Sequence, residues 1–166
     1  MNQILQKVNS RQIYSLLLIA FLLHNTEEAI SVCNFPVSNP FSFIQPVECI
    51  HFITAVSVLS VAAAVLYLWA MKSGSPAVYY FISTAFASAL LLNAVFPHLV
   101  LAVYTLQYTP GIFTAITFIL PLGCILLFRN KSWYKSIKHM SFHILGGLAA
   151  GYAIFAITML FVSRFT

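Results

Sequence analysis

Residues 13–32 read Ile-Tyr-Ser-Leu-Leu-Leu-Ile-Ala-Phe-Leu-Leu-His-Asn-Thr-Glu-Glu-Ala-Ile-Ser-Val, an apolar run that passes straight through a patch of imidazole and carboxylate. A helix rises about 1.5 Å per residue and a hydrocarbon core is about 30 Å thick, so a crossing takes about 20 residues. The stretch Ile13 to Leu23 rises only about 16 Å as helix, too little to cross. The span therefore continues through His24, Asn25, Thr26, Glu27 and Glu28 into Ala29–Val32, which carries the charged patch into the bilayer. On a helix the i, i+3 and i+4 relation sets His24, Glu27 and Glu28 on one side, within reach of a shared ligand.

The remaining composition agrees. In 166 residues, 61% are hydrophobic and 7% charged, with a mean hydropathy of +0.93, which excludes a soluble domain. Asp is absent, and the three acids are Glu27, Glu28 and Glu48, against eight Lys and Arg. The high pI then reports loop topology rather than nucleic-acid binding, because no Lys/Arg-rich run is interleaved with aromatics and the 15 Phe sit inside apolar stretches. Lys7 and Arg11 ahead of the first apolar run imitate a signal peptide, but no small-x-small cleavage site follows, so the run reads as a retained span. Cys33, Cys49 and Cys124 are odd in number and lack metal-type spacing, so they supply no disulfide framework, although a Cys33–Cys49 bridge is open.

Five apolar segments can be drawn, at about 12–33, 46–71, 77–100, 111–128 and 139–163. Breaks fall at Asn34 to Pro40, Lys72 to Pro76, Pro110-Gly111 and Arg129 to Lys138. Seven of the eight basic residues (Lys7, Arg11, Lys72, Arg129, Lys131, Lys135 and Lys138) fall on one side of such a chain. The expectation is an all-α, polytopic integral membrane helical bundle of five transmembrane helices in a single domain, N-terminus inside and C-terminus outside by the positive-inside rule. Gly147 to Gly151 give the last span a small-xxx-small face for close helix packing, within the chain or across a homo-oligomer. No internal repeat supports an inverted-repeat transporter.

Alternating span direction brings the polar residues to one level near the outer surface: His24, Glu27 and Glu28 from span one, Glu48 and His51 from span two, His98 from span three. Carboxylates at that depth cost about 2–3 kcal/mol each on insertion scales and call for a counter-charge. No Lys or Arg lies near them, save Arg164 at the far end of the last span. Metal binding or proton uptake remains. Glu and neutral imidazole suit iron, zinc or manganese, and Glu48-Cys-Ile-His51 has the Glu-x-x-His spacing of bundle di-metal sites, so the six residues suit one or two ions. Other readings stay open: Glu27 and Glu28 ending the helix at the headgroups, or protonated Glu bonded to His as a proton relay.

Pro97 removes a backbone donor and clashes with the carbonyl of Asn93, which predicts a kink there with Asn93 either capping it or facing the site. Tyr108 in the external loop reads as an interfacial aromatic or as a proton donor over the site. His139 and His143 open the last span at the opposite end, beside Trp133, Tyr134, Lys135 and Lys138, and read as a lipid-headgroup face. The apolar loop 34–45 reads as a lid over the external mouth.

His24-Asn-Thr-Glu27-Glu28, Asn93 with His98, and Tyr108-Thr-Pro110-Gly111 stand in an order that resembles the HXXEE family of small bacterial membrane proteins, over residues 24 to 111. Four residues separate Asn93 from His98, where the family pattern has three. The resemblance implies a shared site from His24, Glu27, Glu28, His98 and Tyr108 and a bacterial inner-membrane location, and it names no reaction.

The function expected is a metal-dependent membrane enzyme acting on a lipid or hydrophobic substrate, with hydrolysis and iron-dependent oxidation equally open. In it His24, His51, His98 and one or two Glu bind metal, another Glu such as Glu27 acts as general base, and Tyr108 positions substrate. The alternatives are a metal-ion or proton transport protein and a non-catalytic partner subunit. Below the cluster the first two spans are nearly all aliphatic, which favours a dead-end pocket over a conduit.

Overall fold

Inside a bilayer each backbone polar group must be satisfied within its own segment, so runs this long and apolar fold as helices. The computed structural model describes residues 9–34 and 49–165, and among these there is no strand. Helix α1 runs Ser10–Asn34, α2 Cys49–Lys72, α3 Pro76–Asn93, α4 Val100–Thr105, α5 Ile112–Thr114, α6 Leu120–Asn130 and α7 Ile137–Phe165. Wider turns over Ala94–Leu99 and Ala115–Ile119 join α3 to α4 and α5 to α6. Among the described residues, five stretches are long and apolar enough to cross a membrane: Ser10–Cys33, Cys49–Lys72, Pro76–Thr105, Ile112–Trp133 and Ile137–Thr158. Residues 35–48, with Glu48 and nearly all of the expected lid, lie outside the described residues.

The helices close into a ring. Helix α1 packs between α2 and α6, α3 packs between α6 and α7, and α7 returns to α2. Tyr14, Leu17, Phe21, Leu90, Ile119 and Leu126 fill the buried core. Leu16, Ile19, Val61, Val65, Phe128, Phe142 and Ile157 are exposed, as a lipid solvent permits. The glycine face of α7 is used within the chain: Gly147 lies directly against Ala85, and a Cβ on Gly151 would meet Ala89 at 3.4 Å.

Ser75 caps α3, its hydroxyl accepting from Val78 N–H at 3.5 Å, and Pro76 occupies the first turn where no donor is needed. The kink expected at Pro97 is a full break. Phe96 has extended backbone (φ −127°, ψ 119°), the conformation a following proline favours. The helix resumes and runs to Thr105 rather than to residue 100, and Leu106 in the left-handed region (φ 53°) ends it.

At the end away from the acidic patch, Asn130 is fully buried and ties α6 to α3. Its Nδ2 donates to Ser83 Oγ at 2.9 Å and Thr84 Oγ1 at 3.1 Å. The Tyr134 hydroxyl donates to Thr84 Oγ1 at 2.9 Å, and Trp133 stacks on Tyr80 with ring centroids 4.8 Å apart. His139 and His143 belong to this aromatic group, and His143 Nδ1–H donates to the His139 carbonyl at 2.8 Å. Helix α1 is tied to α2 by Asn25, whose Nδ2 donates to Ser60 Oγ at 2.8 Å.

Candidate metal centre

His24 is fully buried on α1, and the helical spacing places Glu28 one turn further along the same stripe. His98 comes to them just after the chain breaks at Phe96, and it is buried there. His98 Nε2 lies 3.1 Å from Glu28 Oε1, and His24 Nε2 lies 3.7 Å from the same oxygen. The two imidazoles meet edge to face with centroids 4.7 Å apart. One ligand atom from each of the three residues falls within 4.8 Å of the others, the one such group of three among the described residues. Ligands about 2.0–2.1 Å from a tetrahedral ion stand about 3.4 Å apart, so this group is able to hold a metal ion.

Asn93 stands beside the group. Its Nδ2 lies 3.3 Å from His24 Nε2 and 3.2 Å from His98 Nε2, so the amide donates toward both rings rather than capping the break. Gly111 forms the lid. Its φ of 82° is a conformation that suits glycine, and a Cβ there would lie 2.6 Å from His24 Cε1, 2.9 Å from Glu28 Cγ and 3.0 Å from His98 Cε1. A side chain at this position would thus press on all three candidate ligands.

Of the six ligands the sequence reading brings together, His24, Glu28 and His98 meet among the described residues. Glu27 faces elsewhere, toward the start of the fourth span. Its Oε1 accepts from the Tyr108 hydroxyl at 2.6 Å and Phe113 N–H at 3.3 Å, and its Oε2 from Thr114 N–H at 2.9 Å and the Thr114 hydroxyl at 2.6 Å. Four donors, two of them backbone groups at a helix N-terminus, occupy the lone pairs a carboxylate offers. That arrangement answers the carboxylate's charge without a metal. His51 stands outside the group of three, and Glu48 lies outside the described residues.

Tyr108 therefore serves Glu27 rather than the imidazoles, and its hydroxyl also meets Ser31 Oγ at 3.2 Å. Burial, and then the bond to Glu27, push the Tyr108 phenol above its ordinary pKa, so it remains a donor at neutral pH.

A family model described as a protein of unknown function with an HXXEE motif matches residues 15–126. The chain belongs to the HXXEE family. The match runs from the first span through the fourth and contains every residue of the group just described. The chain is also similar to the uncharacterized protein YrkK of Bacillus subtilis (strain 168), 27% identical over 110 residues, 66% of this chain and 69% of that one. No solved structure matches.

Within the HXXEE signature the His and the second Glu join the His-Glu-His group, while the first Glu holds the fourth span. Thr114, which sequence reasoning passed over, joins the two halves: its hydroxyl lies 2.9 Å from His24 Nδ1 and 2.6 Å from Glu27 Oε2. The signal for it was a hydroxyl three residues after Pro110-Gly111, where a helix begins with unpaired donors.

Proposed function

We propose that this HXXEE protein binds a single divalent transition metal through His24, Glu28 and His98 and is a metal-dependent membrane enzyme acting on a lipid or other hydrophobic substrate. The observation that carries the reading is the convergence of His24, Glu28 and His98: Glu28 Oε1 lies 3.1 Å from His98 Nε2 and 3.7 Å from His24 Nε2, and one ligand atom of each residue is within 4.8 Å of the others. The Asn93 amide offers a hydrogen to each imidazole in the metal-free protein, and a cation drawn in by the Glu28 carboxylate would take the place of those bonds. Two imidazoles and one carboxylate leave a coordination position open, as catalytic rather than structural ions have, and iron, zinc and manganese all accept such a set. Bound there, the ion would act as a Lewis acid for hydrolysis or as the iron of an oxidation.

A lipid or hydrophobic substrate is favoured by the surroundings. Leu23 and Ile30, within a turn of Glu27 on α1, and Phe113 and Ile116, beside Thr114, are exposed apolar side chains, which favours a ligand that arrives from the hydrocarbon. The Cys33–Cys49 disulfide, with Cα atoms 5.4 Å apart, clips α1 to α2 at the end of α1 beyond Glu28, and such bonds persist in oxidising compartments. With the positive-inside distribution, this supports an N-terminus inside, a site toward the outer leaflet and a bacterial cytoplasmic membrane.

Elemental analysis of detergent-purified protein tests the metal, with His98→Ala and His51→Ala compared against wild type. Stoichiometric iron, zinc or manganese that His98→Ala loses and His51→Ala keeps is the expected result. A wild type that stays metal-free after reconstitution overturns it in favour of a second reading, a His98–Glu28 pair sharing a proton, for which the 3.1 Å contact is the specific support. Metal-loaded protein is then assayed for ester-lipid hydrolysis and for oxygen consumption, with His98→Ala as the inactive control.

A further inference from the structure

Glu27 of α1 and Thr114 of the fourth span meet beside His24, and their hydrogen bonds leave His24 one arrangement. The Thr114 hydroxyl has three neighbours: Glu27 Oε2 at 2.6 Å, the Gly111 carbonyl at 3.2 Å and His24 Nδ1 at 2.9 Å. A carbonyl oxygen only accepts, and a carboxylate already receiving two backbone N–H groups accepts as well. The single hydroxyl proton therefore goes to one of these oxygens, Glu27 by distance and charge, and the hydroxyl lone pair is left for His24. His24 must then carry its proton on Nδ1. The opposite face of the ring agrees, because Asn93 Nδ2 donates toward His24 Nε2 at 3.3 Å, which requires a lone pair there.

From this geometry we infer that Thr114 is a positioning residue that, held by Glu27, fixes the Nδ1–H tautomer and ring orientation of His24 and so presents its Nε2 lone pair to the cation site. The inference rests on the metal reading above for its purpose and on the three distances for its content. Carboxylate, hydroxyl and imidazole form a chain of bonds into the site, the kind of outer support whose removal costs about 10–100-fold in metal affinity while every ligand stays in place. Tyr108 and the Phe113 and Thr114 backbone N–H groups anchor its far end by holding Glu27. The first Glu of HXXEE thus acts on the metal site through Thr114 rather than by touching the ion.

Two measurements on the full chain test this. Nitrogen-15 NMR of histidine-labelled metal-free protein reports which nitrogen of His24 is protonated, with His24→Gln supplying the assignment. Zinc affinity is measured by competition with a chromophoric chelator for wild type, Thr114→Val and Thr114→Ser. The expected results are an Nδ1–H tautomer in wild type, zinc affinity about 10–100-fold weaker in Thr114→Val, and near-wild-type affinity in Thr114→Ser, which keeps the hydroxyl. A His24 proton on Nε2 overturns the inference, as does a Thr114→Val protein that binds zinc like wild type. If Thr114→Val does not fold, the wild-type tautomer decides. A wild type that shows the Nδ1–H tautomer yet binds no zinc overturns the metal reading and leaves the hydrogen-bonding chain standing.

Discussion

Glu27 and Glu28 are adjacent on α1, yet Glu27 Oε1 and Oε2 face the amides of Phe113 and Thr114 while Glu28 Oε1 stands 3.1 Å from His98 Nε2. Successive helical residues are rotated by about 100°, which turns two neighbouring carboxylates to different partners. One closes the start of the fourth span and the other enters the His-Glu-His group.

The two carboxylates should therefore fail differently. Glu28→Gln removes a ligand, and bound metal should fall below stoichiometry while the melting temperature of metal-free protein stays near wild type or rises. Glu27→Gln removes the charge from four hydrogen bonds, and bonds to charged groups contribute about 1.5–3 kcal/mol each, so it should lower the melting temperature markedly. Metal content and thermal unfolding in detergent, measured side by side, check the contrast. Equal effects of the two substitutions in both measurements would refute the division.

Gly111→Ala should disable the site with the ligands untouched. The left-handed backbone costs a non-glycine residue about 1–2 kcal/mol, and the added methyl would sit 2.6–3.0 Å from carbons of His24, Glu28 and His98. His24 and His98 cannot retreat easily, since both are buried. The expected outcome is a folded protein, of lower melting temperature, whose metal affinity drops at least tenfold. Gly74→Ala, where the Cβ meets nothing within 4 Å, is the control for backbone strain alone.

The fold was legible because it depends on bulk properties: length, hydropathy and the distribution of Lys and Arg decide five helices before any contact is known. His24, Glu28 and His98 were legible because polar groups in an apolar run have few explanations. The division between Glu27 and Glu28 was not, since periodicity puts both on one broad face and cannot say which partner each meets. His51 was placed with the site by depth and by its Glu-x-x-His spacing from Glu48, and Glu48 lies outside the described residues. The break at Phe96 could be read from Pro97, but how far it redirects His98 is a matter of tertiary packing. Thr114 carries no charge, and a hydroxyl near a helix start is too common a signal to single it out, so the distances are what disclose its role.

Asn130 should matter for stability rather than for chemistry. Its amide links α6 to Ser83 and Thr84 of α3, far from the metal group, in an environment that offers no water as substitute. Hydrogen bonds between membrane helices contribute about 0.6 kcal/mol on average and up to about 1.7, so Asn130→Ala should cost about 1–3 kcal/mol over the two. Unfolding in mixed detergent measures this, and metal stoichiometry should be unchanged. A loss of metal in Asn130→Ala would mean that the two ends of the bundle are coupled.

The Cys33–Cys49 bond makes the orientation testable. Protein purified without reductant and then denatured should show one maleimide-reactive thiol, Cys124, and three after reduction. The bond closes a loop with a sequence separation of 16, for which chain entropy predicts about 3 kcal/mol, so Cys33→Ser/Cys49→Ser should melt earlier by that measure. Orientation follows from the single variant Cys33→Ser in a Cys124→Ser background, which leaves Cys49 as the one thiol. In intact bacterial cells a membrane-impermeant maleimide should label it, because Cys49 opens α2 at the end of the bundle assigned to the outside. Labelling that appears only after permeabilisation would place that end in the cytoplasm, invert the topology and turn the metal group toward the inner leaflet, where any lipid substrate would have to be sought instead.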